Sequence, residues 1–223
     1  MRVNQTILQQ PAWMGMVVLI SLWISASGAN AESTVQLAAP FTSRGSGVAE
    51  TSLGDLVADA VRRAADSQVA LVDAEALQAI ELPKGPVPLS RMLGVLQVAS
   101  EPLVVLTVKG SVLVLALERG VSNLPKSNPG FLQISGLTFT LKSSARAGAR
   151  TGNIFTTGST ALDRLASYKV AMPRSLADGA NGFFLIWPGT APSRTLDLKM
   201  GDAVRSYVSD GRILTPASPR ITR

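Results

Sequence analysis

Residues 53–64 place the strongest constraint on the fold. Leu53, Leu56, Val57, Ala60, Val61 and Ala64 fall at i, i+3, i+4, i+7, i+8 and i+11, the spacing of one apolar stripe along a helix. Thr51 or Ser52 can cap its start, and Asp55 in the first turn suits the helix dipole. A helix with one apolar stripe needs a second layer to cover it. The run QVALVD that follows, Gln68–Asp73, is too brief for a helix and reads as a short buried strand. The alternation continues. LPKGPVP is a connector, because two prolines and a glycine oppose regular structure, and Ser90 opens a short helix through Leu96. PLVVLTVK is a strand ended by Lys109-Gly110, and SVLVLALERGV is a second amphipathic helix closed by Gly120. Then come paired strands in FLQISGLTFTLK, a polar basic loop from Ser143 to Gly152 and a strand from Tyr168 to Met172. A glycine-rich turn follows at Ser175–Phe184, then a strand carrying Phe183 and Phe184 with Trp187 packed at its end. A helix near Met200–Val208 and a last strand around Arg220–Thr222 complete the pattern. Helices interspersed with both short links and longer crossovers predict an α+β domain, a mixed β-sheet with packed helices.

The first thirty or so residues stand apart. Arg2 is their only charge, an apolar run spans Met16–Ile24, and Ala29 and Ala31 form the small-x-small pattern read by signal peptidase. Residues 1–31 are expected to be a signal peptide, 32–49 a flexible N-terminal segment, and 50–223 one domain. The apolar run is short of the roughly 20 residues of a membrane span, so no stable membrane insertion is expected after cleavage. The expected localisation is periplasmic or secreted.

Composition excludes much chemistry. With no histidine and no cysteine among 223 residues, the usual zinc sites and the Cys-His and Ser-His-Asp systems have no parts to be built from. No Ser-x-x-Lys occurs, which removes the commonest histidine-free serine nucleophile. No metal, cofactor or catalytic residue is expected. The net charge of +6 is dispersed, and aromatics make up only 5%, whereas nucleic-acid surfaces concentrate basic residues among aromatics. No nucleic-acid partner is expected.

Six segments, TSLGDLVADAVRRA, VALVDAEALQA, LVVLTVKGSVLVLALERGVS, FLQISGLTFTLK, SYKVAMP and SLADGANGFF, occur in this order along the chain. In sequence and order they resemble the C-terminal domain of 5′-nucleotidases and UDP-sugar hydrolases, over roughly Glu50 to Arg223. The resemblance implies that fold. It also implies a division of labour in which an N-terminal metallophosphoesterase domain holds two metal ions and the C-terminal domain grips base and ribose. Only the second half is expected here.

The family's substrate-gripping positions can then be read one at a time. Where the resemblance implies Asn-x-Gly-Gly-x-Arg, with the arginine on phosphate, this chain has Asp73-Ala74-Glu75-Ala76-Leu77-Gln78. An amide does not replace a bidentate guanidinium, and Glu75 repels an anion. Where it implies Pro-Phe-Gly-Asn, the chain has Val98-Ala99-Ser100-Glu101, so a stacking ring is lost at Ala99. Such a base–aromatic contact is worth roughly 1–3 kcal/mol. Ser175 stands for the second stacking aromatic, and Asn181 for the ribose-binding aspartate. Arg44 is out of register for a phosphate contact. The expected binding positions are therefore Gln78, Ala99, Glu101, Ser175 and Asn181, mostly degenerate. The expected function is a non-catalytic binding or interaction module, a pseudoenzyme of the envelope. The alternative is the substrate-binding half of a split metallophosphoesterase acting in nucleotide catabolism with a separate catalytic chain as its partner.

Overall fold

The structure, a computed structural model, describes Met1 and residues 32–223. Apart from Met1, the expected signal peptide falls on residues outside those described. The elements in chain order are β1 (Thr34–Leu37), β2 (Phe41–Thr42), α1 (Ser52–Ala64), β3 (Val69–Asp73), β4 (Glu81–Leu82), β5 (Gly85–Pro88), α2 (Leu89–Leu93), β6 (Pro102–Lys109) and α3 (Gly110–Val121). After them come β7 (Leu132–Ser135), β8 (Leu137–Leu141), β9 (Thr151–Thr156), β10 (Thr160–Ala161), β11 (Ser167–Pro173), α4 (Arg174–Ala177), β12 (Ser193–Lys199), α5 (Met200–Val208) and β13 (Ile221–Thr222). Short 3-10 turns lie at Ala74–Ala76 and Ala180–Leu185.

The central sheet runs β12-β6-β11-β3-β7. Within it β3 and β11 are parallel and the other pairings antiparallel, so the sheet is mixed as expected. Its middle strands are covered on both faces. Ala70, Val72, Leu103 and Val105 pack with α1 and α5, whereas Val69, Leu71, Val104 and Leu106 pack with α3 and the Phe131 region. Burial on both faces is why VALV and LVVL are unbroken apolar runs instead of alternating ones. The α1 stripe works as the sequence implied: Leu53, Val57, Ala60 and Val61 are fully buried, and Thr51 caps the helix by accepting from the Gly54 N–H at 3.2 Å.

The start of α1 is pinned to β7 through one buried amide. Gln133 is fully buried, and its Oε1 accepts from the Thr51 N–H at 2.9 Å. Its Nε2 donates to the carbonyls of Ser46 at 3.0 Å and Ala49 at 2.9 Å. Gly54 makes room for this contact, since a Cβ there would lie 2.2 Å from Gln133 Oε1.

Several expectations are corrected. The segment 32–49, expected to be flexible, contributes β1 and β2, because Val35, Leu37 and Phe41 are buried in the core. LPKGPVP is not an irregular connector: Gly85–Pro88 pairs with β1 in a two-stranded sheet with Pro86 opposite Gln36. Proline is tolerated on such an edge because the missing N–H need not serve a ladder. The FLQISGLTFTLK strands do not pair with each other. β7 pairs with β3, whereas β8 pairs with β9 and β13 in a second sheet, ordered β10-β9-β8-β13. Gly136, at φ +80°, carries the chain from one sheet to the other. The loop expected over Ser143–Gly152 gives way to β9 from Thr151. Phe183, Phe184 and Trp187 lie in no strand; the first two sit in the 3-10 turn, with Phe183 buried and Phe184 67% exposed. Among the described residues, no helix is long and apolar enough to cross a membrane.

Candidate functional site

Strand direction gathers the site. Because β3 and β11 are parallel, their C-terminal ends reach the same edge of the central sheet. Because β6 runs antiparallel to β11, with Leu103 opposite Pro173, its beginning lies at that edge too. Asp73 ends β3, Glu101 precedes β6, and Ser175 follows β11. Segments distant in sequence thus meet at one rim.

Asp73 is the buried centre of the rim, 2% exposed. Its Oδ2 accepts a hydrogen bond from Asn181 Nδ2 at 2.7 Å, while its Oδ1 is buried with no partner among the described residues. Burial raises its pKa to about 6; the Asn181 hydrogen bond opposes that rise, and the charges of Glu101 and Glu75 add to it. The same Asn181 nitrogen donates to Glu75 Oε2 at 2.8 Å. Glu101 Oε1 accepts from the backbone N–H of Ser175 at 2.7 Å. The arrangement is a carboxylate-lined rim closed by an asparagine amide.

Asn181 is held in place from both sides. It sits in the left-handed conformation, φ 54° and ψ 26°, followed by Gly182 at φ 83°. Asparagine tolerates that conformation better than most residues. Its carbonyl accepts from the Arg119 guanidinium, which reaches across from α3. Glycine suits Gly182 by its conformation, and a Cβ there would lie 2.7 Å from Arg119 Nη2 and press on the guanidinium that holds the turn. Behind this turn Phe183 and Trp187 stack at 5.6 Å, and Trp187 Nε1 donates to the Leu176 carbonyl at 2.7 Å. The aromatics of SLADGANGFF and its continuation therefore divide into a buried pair that shapes the turn and an exposed Phe184.

The five positions taken from the sequence separate into two groups. Asn181 joins the Asp73–Glu75 cluster directly, and Ser175 and Glu101 are bonded to one another at the same rim. Gln78 is exposed and held through its backbone, its N–H donating to the Val95 carbonyl at 2.7 Å. Its side chain makes no hydrogen bond among the described residues. Ala99 lies in the turn before β6 and meets the start of α5, its carbonyl accepting from the Gly201 N–H at 2.8 Å. Arg44 is exposed and faces Glu81 at 3.7 Å. Two residues central to the geometry, Asp73 and Arg119, are not singled out by sequence reasoning. A charged residue closing the wholly apolar run VALV is the available signal for Asp73; Arg119 gives none, since it reads as an ordinary helix-surface cation. Among the described residues, no group of three or more acidic residues is placed to hold a metal ion.

Comparison with known proteins agrees with this architecture. Residues 28–186 match the family model described as 5′-nucleotidase, C-terminal domain. No curated protein sequence matches. Among solved structures, a 5′-nucleotidase precursor from Thermus thermophilus is similar with a TM-score of 0.78 and 25% identity, covering 86% of this chain and 39% of that one. The NAD nucleotidase NadN of Haemophilus influenzae is similar in fold, at TM-score 0.70 and 14% identity, covering 86% and 38%. The sulfate thiohydrolase SoxB of Thermus thermophilus shares the fold at TM-score 0.62 and 18% identity, covering 86% and 35%. This chain thus spans less than two fifths of the length of each of these proteins.

Proposed function

This chain belongs to the 5′-nucleotidase C-terminal domain family, and on that premise we propose that it is an exported, non-catalytic binding or interaction module whose nucleotide pocket is closed from within. The observation that carries this proposal is the Asn181 amide bonded at once to Asp73 and Glu75. Where the family resemblance implies a ribose contact and a phosphate-binding arginine, this chain has an internal hydrogen-bond bridge and added negative charge. A nucleotide entering there meets Glu75 and Glu101 at its phosphate end, and Ala99 and Ser175 at the two positions where the resemblance implies stacking rings. The test is hydrolysis of nucleoside monophosphates, UDP-sugars and a generic phosphate ester by the purified protein, with Mn²⁺, Zn²⁺ or Co²⁺ added. No turnover above the metal-only control is expected; robust metal-dependent turnover by this chain alone would sink the proposal. Export is checked separately by sequencing the N-terminus of the protein recovered from the periplasm or medium, where Glu32 is the expected first residue.

One observation favours the second proposal, a split enzyme. Phe184 and Leu185 are 67% and 78% exposed on the 3-10 turn that carries Asn181, an apolar step next to the candidate site. A separate metallophosphoesterase chain seated on that step would meet the rim. If so, adding such a chain restores nucleotide hydrolysis, and the double variant Phe184→Ser with Leu185→Ser abolishes the gain.

A further inference from the structure

At the opposite end of β3 from Asp73 lies a cleft of about 540 Å³, bounded by α1, the β7–β8 link and the β9–β10 hairpin. Its volume falls within the range of small-molecule sites. Two cations line it, Arg62 near the end of α1 and Arg220 just before β13, with Asp59 between them. Arg62 Nε donates to Ser135 Oγ at 2.7 Å, Ser135 Oγ donates onward to Asp59 Oδ1, and Asp59 Oδ2 accepts from Arg220 Nη2 at 2.7 Å. This chain of bonds has two consequences. It fixes the guanidinium of Arg62 by its Nε edge alone. It also commits the charge of Asp59 to Arg220, which stands 2.7 Å away, so Arg62 has no carboxylate partner among the described residues.

Both Nη groups of Arg62 are left without a hydrogen bond among the described residues. A half-buried guanidinium held by one edge presents paired N–H donors in a fixed plane, the geometry that receives an oxyanion with two parallel bonds. The β9–β10 hairpin supplies a different chemistry to the same cleft. Phe155 on β9 is 37% exposed and lines the same cleft. Beside it are the hydroxyls of Thr156, Thr157 and Ser159, and the hairpin turns at Gly158, φ +86°. A cation and an open ring lining one cleft match a ligand with a charged end and a flat apolar body. We propose that this cleft binds a small organic oxyanion, a carboxylate or phosphate monoester on a ring, with Arg62 holding the oxyanion and Phe155 covering the ring. The site shares no residue with the Asp73 rim, so it stands or falls independently of the function proposed above.

The experiment is a titration of the ¹⁵N-labelled full chain with phenyl phosphate, benzoate and inorganic phosphate, followed residue by residue by NMR. Saturable shifts are expected for phenyl phosphate and benzoate at Ser135–Thr138 and Thr156–Ser159, with residues 73–78 and 175–182 unmoved. Whichever of the two binds more tightly identifies the preferred oxyanion. Inorganic phosphate, lacking the ring, is expected to bind at least about tenfold more weakly than phenyl phosphate. Arg62→Met is expected to weaken phenyl phosphate by about tenfold or more. Phe155→Ser is expected to reduce phenyl phosphate to the affinity of inorganic phosphate and to leave inorganic phosphate unchanged. If Arg62→Met does not fold, Arg62→Lys carries the test: it keeps the charge and loses the fork, so binding must weaken. Absence of saturable shifts, shifts confined to the Asp73 rim, or unchanged affinity in the folded Arg62 variant would each overturn the proposal.

Discussion

Asn181 does with one side chain what an aspartate at the same position could not. Its carbonyl oxygen and backbone conformation belong to the turn, while its amide nitrogen donates to both Asp73 and Glu75. An aspartate would set a third carboxylate against two others and leave the buried Asp73 Oδ2 without its donor. Asn181→Asp, which restores the residue type implied by the family, is therefore expected to cost about 1–3 kcal/mol of stability near neutral pH. Urea unfolding at pH 7 checks this. A variant as stable as the parent would show that the bridge contributes nothing. Gly182→Ala is expected to destabilise as well, by about 1 kcal/mol or more, because alanine at φ 83° is strained and its Cβ meets Arg119. The same unfolding experiment reads it. Much of this is legible in the sequence at one remove: Gly179, Gly182 and Phe183 mark a bend, and Asn181 stands where a ligand contact is implied. The two hydrogen bonds are not legible, because Asp73 and Glu75 lie more than a hundred residues away and only the parallel pairing of β3 with β11 brings them near.

At the scale of elements, α1 is held to the sheets by its apolar stripe and by two polar contacts. Gln133 satisfies the start of the helix with its buried amide. Arg220, just before β13, binds Asp59 on the helix at 2.7 Å and donates to the Ile134 carbonyl, while Glu50 accepts from the N–H groups of Arg220 and Ile221. Arg220 is only 13% exposed at its side chain. Removing one partner of such a pair leaves buried charge uncompensated, so Arg220→Met is expected to cost about 3–5 kcal/mol. The comparison is with Arg212→Met, whose side chain is 37% exposed in its ion pair with Asp210 and for which a loss under about 1 kcal/mol is expected. Equal losses in denaturant unfolding would contradict the difference. The legibility of elements follows burial. α1, α3, β3 and β6 announce themselves because their buried faces are apolar and regular. β12 and β9 escape notice because they are largely exposed, and an exposed strand carries little pattern beyond Leu196 and Leu198 on β12. The β7–β8 link escapes for a different reason: two apolar runs joined by glycine look alike whether the chain folds back in a hairpin or crosses between sheets.

Across the whole molecule, two buried carboxylates tie stability to pH. Burial raises Asp55 to about 8 despite the attraction of Arg220, and raises Asp73 to about 6. Both stand near 4 when unfolded, at about the ordinary aspartate value. Between the unfolded and folded values the folded chain holds a proton that the unfolded chain has released, so stability falls as pH rises through that window. The contribution of Asp73 is lost by about pH 6 and that of Asp55 by about pH 8. Urea midpoints are therefore expected to fall from pH 5 to pH 8, with a flatter profile in Asp55→Asn; identical slopes in the two proteins would contradict the assignment to Asp55.

The central claim is that this domain keeps the family's architecture while its nucleotide pocket is closed by its own side chains. Calorimetric titration of the purified protein with AMP, adenosine and a UDP-sugar tests it most directly. No saturable binding at millimolar ligand is expected for any of the three. Saturable binding of a nucleotide or nucleoside that disappears in Asn181→Ala would contradict the claim, because it would place the ligand on the very bridge said to exclude it.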